Sequence, residues 1–364
     1  MNRPEFDIAV VGGGPAGTSA AITAERYGAR VVLFEAGEFP RHKVCGEFVS
    51  AESIDVLRDL MQFTPGAEQL LRTAPVIDQT QLFLEGRVIK ARVTPPALSI
   101  TRYDMDSFLW QASKQAGVEM RSSCEVGMIE GNGPFRLETS GGDVRAAAVI
   151  VAAGRWSKFK PRVSIPNGPK WIGVKAHYRE CKPPKSTDLY FFEHGYCGVQ
   201  PVADEVVNAC AMVRSDRATS LDEVFASHPA LAERSRNWQS IFEPVTTAPL
   251  LHLPPQPVRD NMIFIGDAAA FIDPFVGDGI SIALRSGRLA ATELREFLEG
   301  SRSLTYGLAA YEKEYARQFT PLIAAASRIR GVLSWPAPAR ILAFEILRLP
   351  GAMSYVIRKT RRAT

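Results

Sequence analysis

Residues 6–35 read FDIAVVGGGPAGTSAAITAERYGARVVLFE, and this stretch decides the fold. Residues 6–11 are a continuous apolar run of strand length ending in glycines, the pattern of a strand buried on both faces of a parallel sheet. Residues 18–27 are alanine-rich with helical periodicity and stop at Gly28, and 30–34 form a second apolar run closing on Glu35. Gly12, Gly14 and Gly17 stand at G-x-G-x-x-G spacing between strand and helix. The first permits a tight turn, the second lets the backbone approach a pyrophosphate, and the third lets the helix pack closely on the strand. Pro15 and Ala16 complete the turn, where open amides at a helix start bind phosphate with help from the helix dipole. Glu35, followed by Ala36, sits where an acid accepts hydrogen bonds from ribose hydroxyls and favours a ribose without a 2′-phosphate. A glycine-rich turn with no ligand is the bland alternative; the flanking elements and Glu35 together argue against it.

Outward from this unit, residues 79–93 alternate polar and apolar around Gly86, which predicts an antiparallel hairpin in a different sheet. Residues 103–116 return to helix, and 118–121, 135–138 and 144–151 to strand, the last ending at Gly154. Strand candidates alternate over 173–179, 188–193 and 206–213, as in a second, mainly antiparallel domain. A late buried strand over 262–265 leads into a helix over about 279–298. The reading is an α/β fold: a Rossmann-like dinucleotide-binding domain assembled from 1–78, 97–165 and 255–300, an inserted mainly antiparallel substrate domain from 79–96 and 166–254, and a helical C-terminal region over 301–364.

Residues 261–287 read NMIFIGDAAAFIDPFVGDGISIALRSG, about 250 residues beyond the first motif. Asp267 follows an apolar strand and Gly266, so its carboxylate is placed to accept a hydrogen bond from a ribityl hydroxyl. Pro274 stiffens the next loop. Gly277 and Gly279, with Ile280 behind them, leave amides unobstructed before a helix, where they would stabilise negative charge on the N1 and O2 edge of a reduced flavin. Alone, Asp267 reads as an ordinary helix cap; with the loop and the first motif, it points to FAD rather than NAD.

Composition sets the boundaries. At 364 residues, two packed domains are expected. Forty-three basic and 39 acidic side chains give a net charge of +4, too small and dispersed for a nucleic-acid surface. The five cysteines show no paired metal-ligand spacing, so no metal site is expected; their odd number fits a reducing compartment. The strand pattern begins near Phe6 without a leader, so a cytoplasmic location is expected. Residues 341–357 are apolar and precede Arg358, Lys359, Arg361 and Arg362. They read as a packed C-terminal helix with a solvated end, the alternative being peripheral contact with an anionic membrane.

The chain resembles the superfamily containing para-hydroxybenzoate hydroxylase, and within it looks most like the geranylgeranyl reductase group. GGGPAG at 12–17, RHKVCGE at 41–47 and GDAAAFIDPFVGDGI followed by ALRSG carry the likeness. It implies FAD extended along the first domain with its ring at the domain interface. It also implies that Arg102 in TRYDMDSFL lies near the cofactor and that Cys45, beside Gly46, lies near the ring. Where many members have Asp-Gly, this chain has Ala153 and Gly154, which weakens the case for efficient reduction by NADPH. With no second glycine-rich fingerprint, NAD(P)H would serve only as a transient electron donor. The reductases' Tyr-x-Trp-x-Phe-Pro run is here YCGVQP, with Tyr196, Gly198 and Gln200. A roomier or more polar pocket floor is expected, and the lack of Trp-x-Trp-x-Ile-Pro argues against halogenation.

The flavin supplies the redox chemistry, so few catalytic side chains are needed. Cys45 and the Pro274 loop are the catalytic candidates, Cys45 reading equally as a buried inert thiol. Arg41 and Lys43 bind the pyrophosphate or an anionic substrate head, or else form a solvated loop; His42 between them is a proton donor or simply exposed. Tyr190, Phe192, Tyr196 and Gln200 are expected to line the pocket for a small hydrophobic substrate, ordinary core packing being the alternative. Three functions stand open. Monooxygenation of a lipophilic aromatic, quinone-like or polyketide substrate is favoured because the paired aromatics are missing. Reduction of an isoprenoid-type carbon–carbon double bond and non-catalytic FAD binding are the others.

Overall fold

The computed structural model describes residues 4–155, 158–159, 168–247, 249–333 and 335–347. The opening run becomes strand Phe6–Val11, paired in parallel with Val31–Phe34 on one side and Val144–Val151 on the other. Met262–Phe264 adds in parallel beyond Val144–Val151, and Glu119–Arg121 beyond Val31–Phe34. All four side chains of Val31–Phe34 are buried, as expected of a strand covered on both faces. A hairpin of Val126–Gly131 and Phe135–Thr139 joins antiparallel to the start of Val144–Val151. The late strand thus completes a sheet begun at the amino terminus.

The second sheet runs, in order, Gln239–Ser240, Trp171–Arg179, Val206–Arg214, Gly195–Ala203, Ser186–Phe192, Val76–Leu84, Arg87–Ser99 and Phe48–Val49, with Val245–Thr247 also on Trp171–Arg179. Its pairs are antiparallel except Ser186–Phe192 with Val76–Leu84. The expected hairpin is present but longer than 79–93, its strands joined through Glu85 and Gly86, both at positive φ as a tight hairpin turn requires. Gly195–Ala203 carries no strand signal in sequence because two glycines and Pro201 interrupt it. The proline is accommodated at a register shift between Pro201 and Ala203.

Helices Pro15–Arg26 and Gly279–Glu293 follow the two glycine motifs and pack on one another. A Cβ at Gly287 would lie 2.2 Å from the Ala16 carbonyl oxygen, and Ser19 Oγ donates to the Leu284 carbonyl at 2.7 Å. This contact fixes the two motifs relative to each other. Arg102–Ala116 begins at Thr101, whose hydroxyl accepts the Asp104 amide at 3.0 Å.

The C-terminal region is helical over Leu304–Gln318, Thr320–Leu333 and Ala337–Leu347. It is not an appendage: Tyr311, Tyr315 and Phe319 have no exposure within the core of the parallel sheet, and Tyr311 donates to the Phe264 carbonyl at 2.9 Å. The tail cations Arg358, Lys359, Arg361 and Arg362 lie outside the described residues. Among the described residues, no helix is long and apolar enough to cross a membrane.

Gly287→Val places methyl groups where the two helix backbones touch, and overpacking of this kind costs about 1–3 kcal/mol. Urea denaturation is expected to show that loss, accompanied by weaker FAD retention because the two motifs are pushed apart.

Candidate cofactor and substrate cleft

A cleft of about 700 Å³ runs between the two sheets, from Glu35 at one end to the Pro274–Gly279 loop at the other. At the first end, the third glycine of the motif packs as expected: a Cβ on Gly17 would lie 1.9 Å from the Gly12 carbonyl oxygen. Gly17 therefore does not border the cleft, whereas Gly12, Gly14, Pro15 and Ala16 do. Gly14 caps the Pro15–Arg26 helix without a side-chain hydrogen bond, and the nearest group to a Cβ placed there is the Arg102 guanidinium at 3.8 Å. The open helix start and the adjoining space suit an anionic group.

Glu35 is buried at the cleft wall. Its carboxylate accepts the amides of Gly13 and Gly37, each at 2.9 Å, and the Arg41 guanidinium at 2.8 Å. Burial alone would raise its pKa, but the Arg41 hydrogen bond, the Lys43 charge and the Gly37 amide hold it below the usual carboxylate range. An ionised carboxylate retains acceptor capacity for a diol beyond these bonds.

Arg41, Lys43 and Arg102 all border the cleft. Arg102 forks onto Asp106 with two bonds of 2.7 Å, which orients the guanidinium and keeps it charged. Burial, with the charge of Arg102, pushes Lys43 down to about 8. His42 is half-buried, borders the cleft and stacks on Phe242 at 3.7 Å; burial, with Lys175 and His177, lowers its pKa.

Ala153, Gly154, Gly266, Asp267, Pro274, Gly277, Gly279 and Ile280 all border the same cleft, as do Ala36, Cys45 and Gly46. Asp267 faces Arg155 across 4.0 Å. Gly277 adopts φ 78° at the end of the short Pro274–Val276 turn, just before the Gly279–Glu293 helix. Asp273, at the start of this turn, is buried between His252 at 3.2 Å and Arg330 at 3.1 Å, which ties the loop to the C-terminal helices.

Sequence reasoning passed over Glu47, whose side chain makes three hydrogen bonds to two separate elements. It has no exposure and adopts φ 62°. One oxygen accepts the Lys175 ammonium at 2.5 Å and the Arg102 amide at 2.7 Å; the other pairs with His177 at 2.8 Å. Burial would raise the Glu47 carboxyl, but the His177 hydrogen bond and the Lys175 charge hold it below the ordinary range. The available signal was Lys175 and His177, two residues apart and therefore on one face of an otherwise apolar strand. The Glu47 amide donates to Cys45 Sγ at 3.3 Å, and Asn208 holds the Cys45 carbonyl at 3.0 Å. Burial raises the Cys45 pKa, so the thiol stays protonated.

The substrate-sheet expectations need correction. Tyr196 borders the cleft, with Met212, Leu250 and Phe271 around it. Tyr190 and Phe192 do not: they pack into the core on the opposite face, where the Tyr190 hydroxyl accepts from Arg234 at 3.1 Å and its ring stacks on Phe83. Gln200 is off the cleft as well, donating to Ser99 at 2.6 Å. The sheet is buried on both faces, so alternation did not identify which face meets the cleft. Nor is the wall more polar than expected for an aromatic floor, since Tyr196, Met212, Leu250 and Phe271 build it.

One cavity thus joins a phosphate-binding helix start, a diol-accepting carboxylate and a second open helix start, which fits a single extended dinucleotide. The chain belongs to the FAD binding domain family, whose model matches residues 5–325, and FAD is its cofactor. It is a flavoprotein of an oxidoreductase family. It is 26% identical to the menaquinone reductase of Mycolicibacterium smegmatis, over 97% of this chain and 90% of that protein. It is also 26% identical to the digeranylgeranylglycerophospholipid reductase of Thermoplasma acidophilum, over 86% of this chain and 84% of that one. The solved structure of the flavin-dependent brominase Bmp2 shares the fold at a TM-score of 0.78 and 21% identity, covering 98% of this chain and 93% of that one.

Gly14→Asp fills the phosphate approach and adds a repulsive charge; purified protein is expected to lose its flavin absorbance. Glu47→Gln leaves the Lys175 charge buried without a counter-charge, which costs about 3–5 kcal/mol. Because the folded-state pKa of Glu47 lies below its ordinary value of about 4.3, its stabilising contribution is complete above that pH and is lost as pH falls through the folded-state value. Denaturation curves should therefore fall more steeply below about pH 4 for the native chain than for Glu47→Gln.

Proposed function

We propose that this flavoenzyme reduces a carbon–carbon double bond of a lipophilic, isoprenoid-type substrate. The observation that carries the reading is Cys45: a thiol at the cleft wall, kept protonated by burial, beside the Arg102 guanidinium. Reduced FAD, when bound, supplies a hydride. Addition of hydrogen across an alkene then requires one proton, which in this reading comes from Cys45, the thiolate left behind being favoured by the nearby Arg102 charge. Asn208 and the Glu47 amide hold the residue in place. Tyr196, Met212, Leu250 and Phe271 give the substrate end apolar walls suited to a hydrocarbon chain.

Monooxygenation, favoured in the sequence by the missing aromatics, is the second reading. Gly198 and Gln200 stay off the cleft, so their identity weighs less than the sequence pattern implies. The aromatic and thioether lining still suits a flat phenolic ring, and this supports keeping that reaction in the test. Both reactions need electrons from a donor such as NAD(P)H, which would visit the same cleft.

The deciding experiment reduces the enzyme with dithionite under nitrogen and mixes it with a menaquinone or a geranylgeranylated glycerophospholipid. Flavin reoxidation without oxygen is expected, with a product heavier by two hydrogens, a gain that for the menaquinone persists after the quinol ring is reoxidised in air. A product carrying label from isotopic dioxygen instead assigns monooxygenation. In the reductase, Cys45→Ala is expected to slow single-turnover reduction by about 10²-fold or more while FAD remains bound.

A further inference from the structure

Helix Ala337–Leu347 has two unlike faces. On the inner one, Phe344 is buried among Tyr196, Met212, Leu250 and Phe271, the same side chains that wall the substrate end of the cleft. Ion pairs Arg87–Glu345 and Arg340–Glu85 clamp this helix to the hairpin turn of the substrate sheet. On the outer face, Leu342 and Ile346 stand one turn apart, 64% and 53% exposed, and Trp335 just before the helix is 48% exposed. These are large apolar groups presented to solvent on an element that already satisfies its own packing.

The charge of this part of the chain is one-sided. Residues 348–364 contain Arg348, Arg358, Lys359, Arg361 and Arg362 and no acidic residue. Apolar side chains on a short helix followed by a basic segment are the combination that binds the interface of an anionic bilayer: the former enter the headgroup boundary and the latter are drawn by its surface potential. We propose that the outer face of helix Ala337–Leu347 docks on an anionic lipid bilayer. The helix that meets the lipid is then joined through Phe344 to the apolar cluster that walls the substrate end, so the bilayer lies behind the part of the cleft that takes a lipophilic molecule. The docking does not depend on which redox reaction follows.

The test is flotation of the FAD-loaded full chain with phosphatidylcholine vesicles, with and without about 30 mol% phosphatidylglycerol. Binding to the anionic vesicles, weakened at about 0.5 M salt, is expected. Leu342→Gln/Ile346→Gln should cut partitioning about tenfold or more, and Arg358→Gln/Lys359→Gln/Arg361→Gln/Arg362→Gln should cut it on anionic vesicles alone. Unchanged flavin content and melting temperature show that the variants are folded. Absence of binding to either vesicle overturns the proposal, as does binding that the Leu342/Ile346 pair leaves untouched. A solution dimer dissolved by that same pair would instead assign the face to a second copy, and vesicle binding gained on removal of residues 348–364 would assign it to the chain's own tail.

Discussion

Glu47 and Lys175 carry opposite charges without any exposure, and neither is tolerable in the interior alone. Their pairing is therefore obligatory, and it joins the loop that carries Cys45 to the first long strand of the substrate sheet. The same carboxylate takes the backbone amide of Arg102, so three separate pieces of the site share one anchor: the cysteine loop, the arginine helix and the sheet above them. Around this anchor the cleft divides by chemistry, with cations and a helix start where phosphate belongs and apolar side chains where a hydrocarbon belongs. The division follows from which sheet supplies the wall.

Much of this was legible where the signal is local. The strand, glycine turn and helix at 6–26 require only neighbours in sequence, as does the Asp267-to-Gly279 loop, and the structure brings them to one cavity. What was not legible depends on partners far along the chain. Glu47 meets Lys175 and His177 at separations of 128 and 130 residues, and no periodicity encodes that meeting. Tyr190 and Phe192 show the limit of alternation: it separates two faces but does not name them, and here both faces are buried. Gly195–Ala203 was hidden by glycines and a proline whose cost is absorbed by pairing on both sides of the strand.

The C-terminal helices also gained meaning only from the fold. In sequence they are a helical remainder, yet Tyr311 bonds the last parallel strand and Arg330 reaches the buried Asp273 beneath the flavin loop. The loop expected to meet the ring is thus braced by residues some fifty positions later. Its geometry is a property of the whole chain rather than of the glycines that spell it.

Chain order carries one more consequence. The parallel sheet places Phe6–Val11 beside Val144–Val151, and that strand beside Met262–Phe264, so the two ends of the cofactor cradle come from segments some 250 residues apart. A nascent polypeptide has its phosphate corner early but no ring corner until Gly279 has left the ribosome. Tight capture of the nucleotide must therefore wait for the 265 positions that separate Gly14 from Gly279 to be made, and until then the phosphate corner has only half of its ligand's cradle.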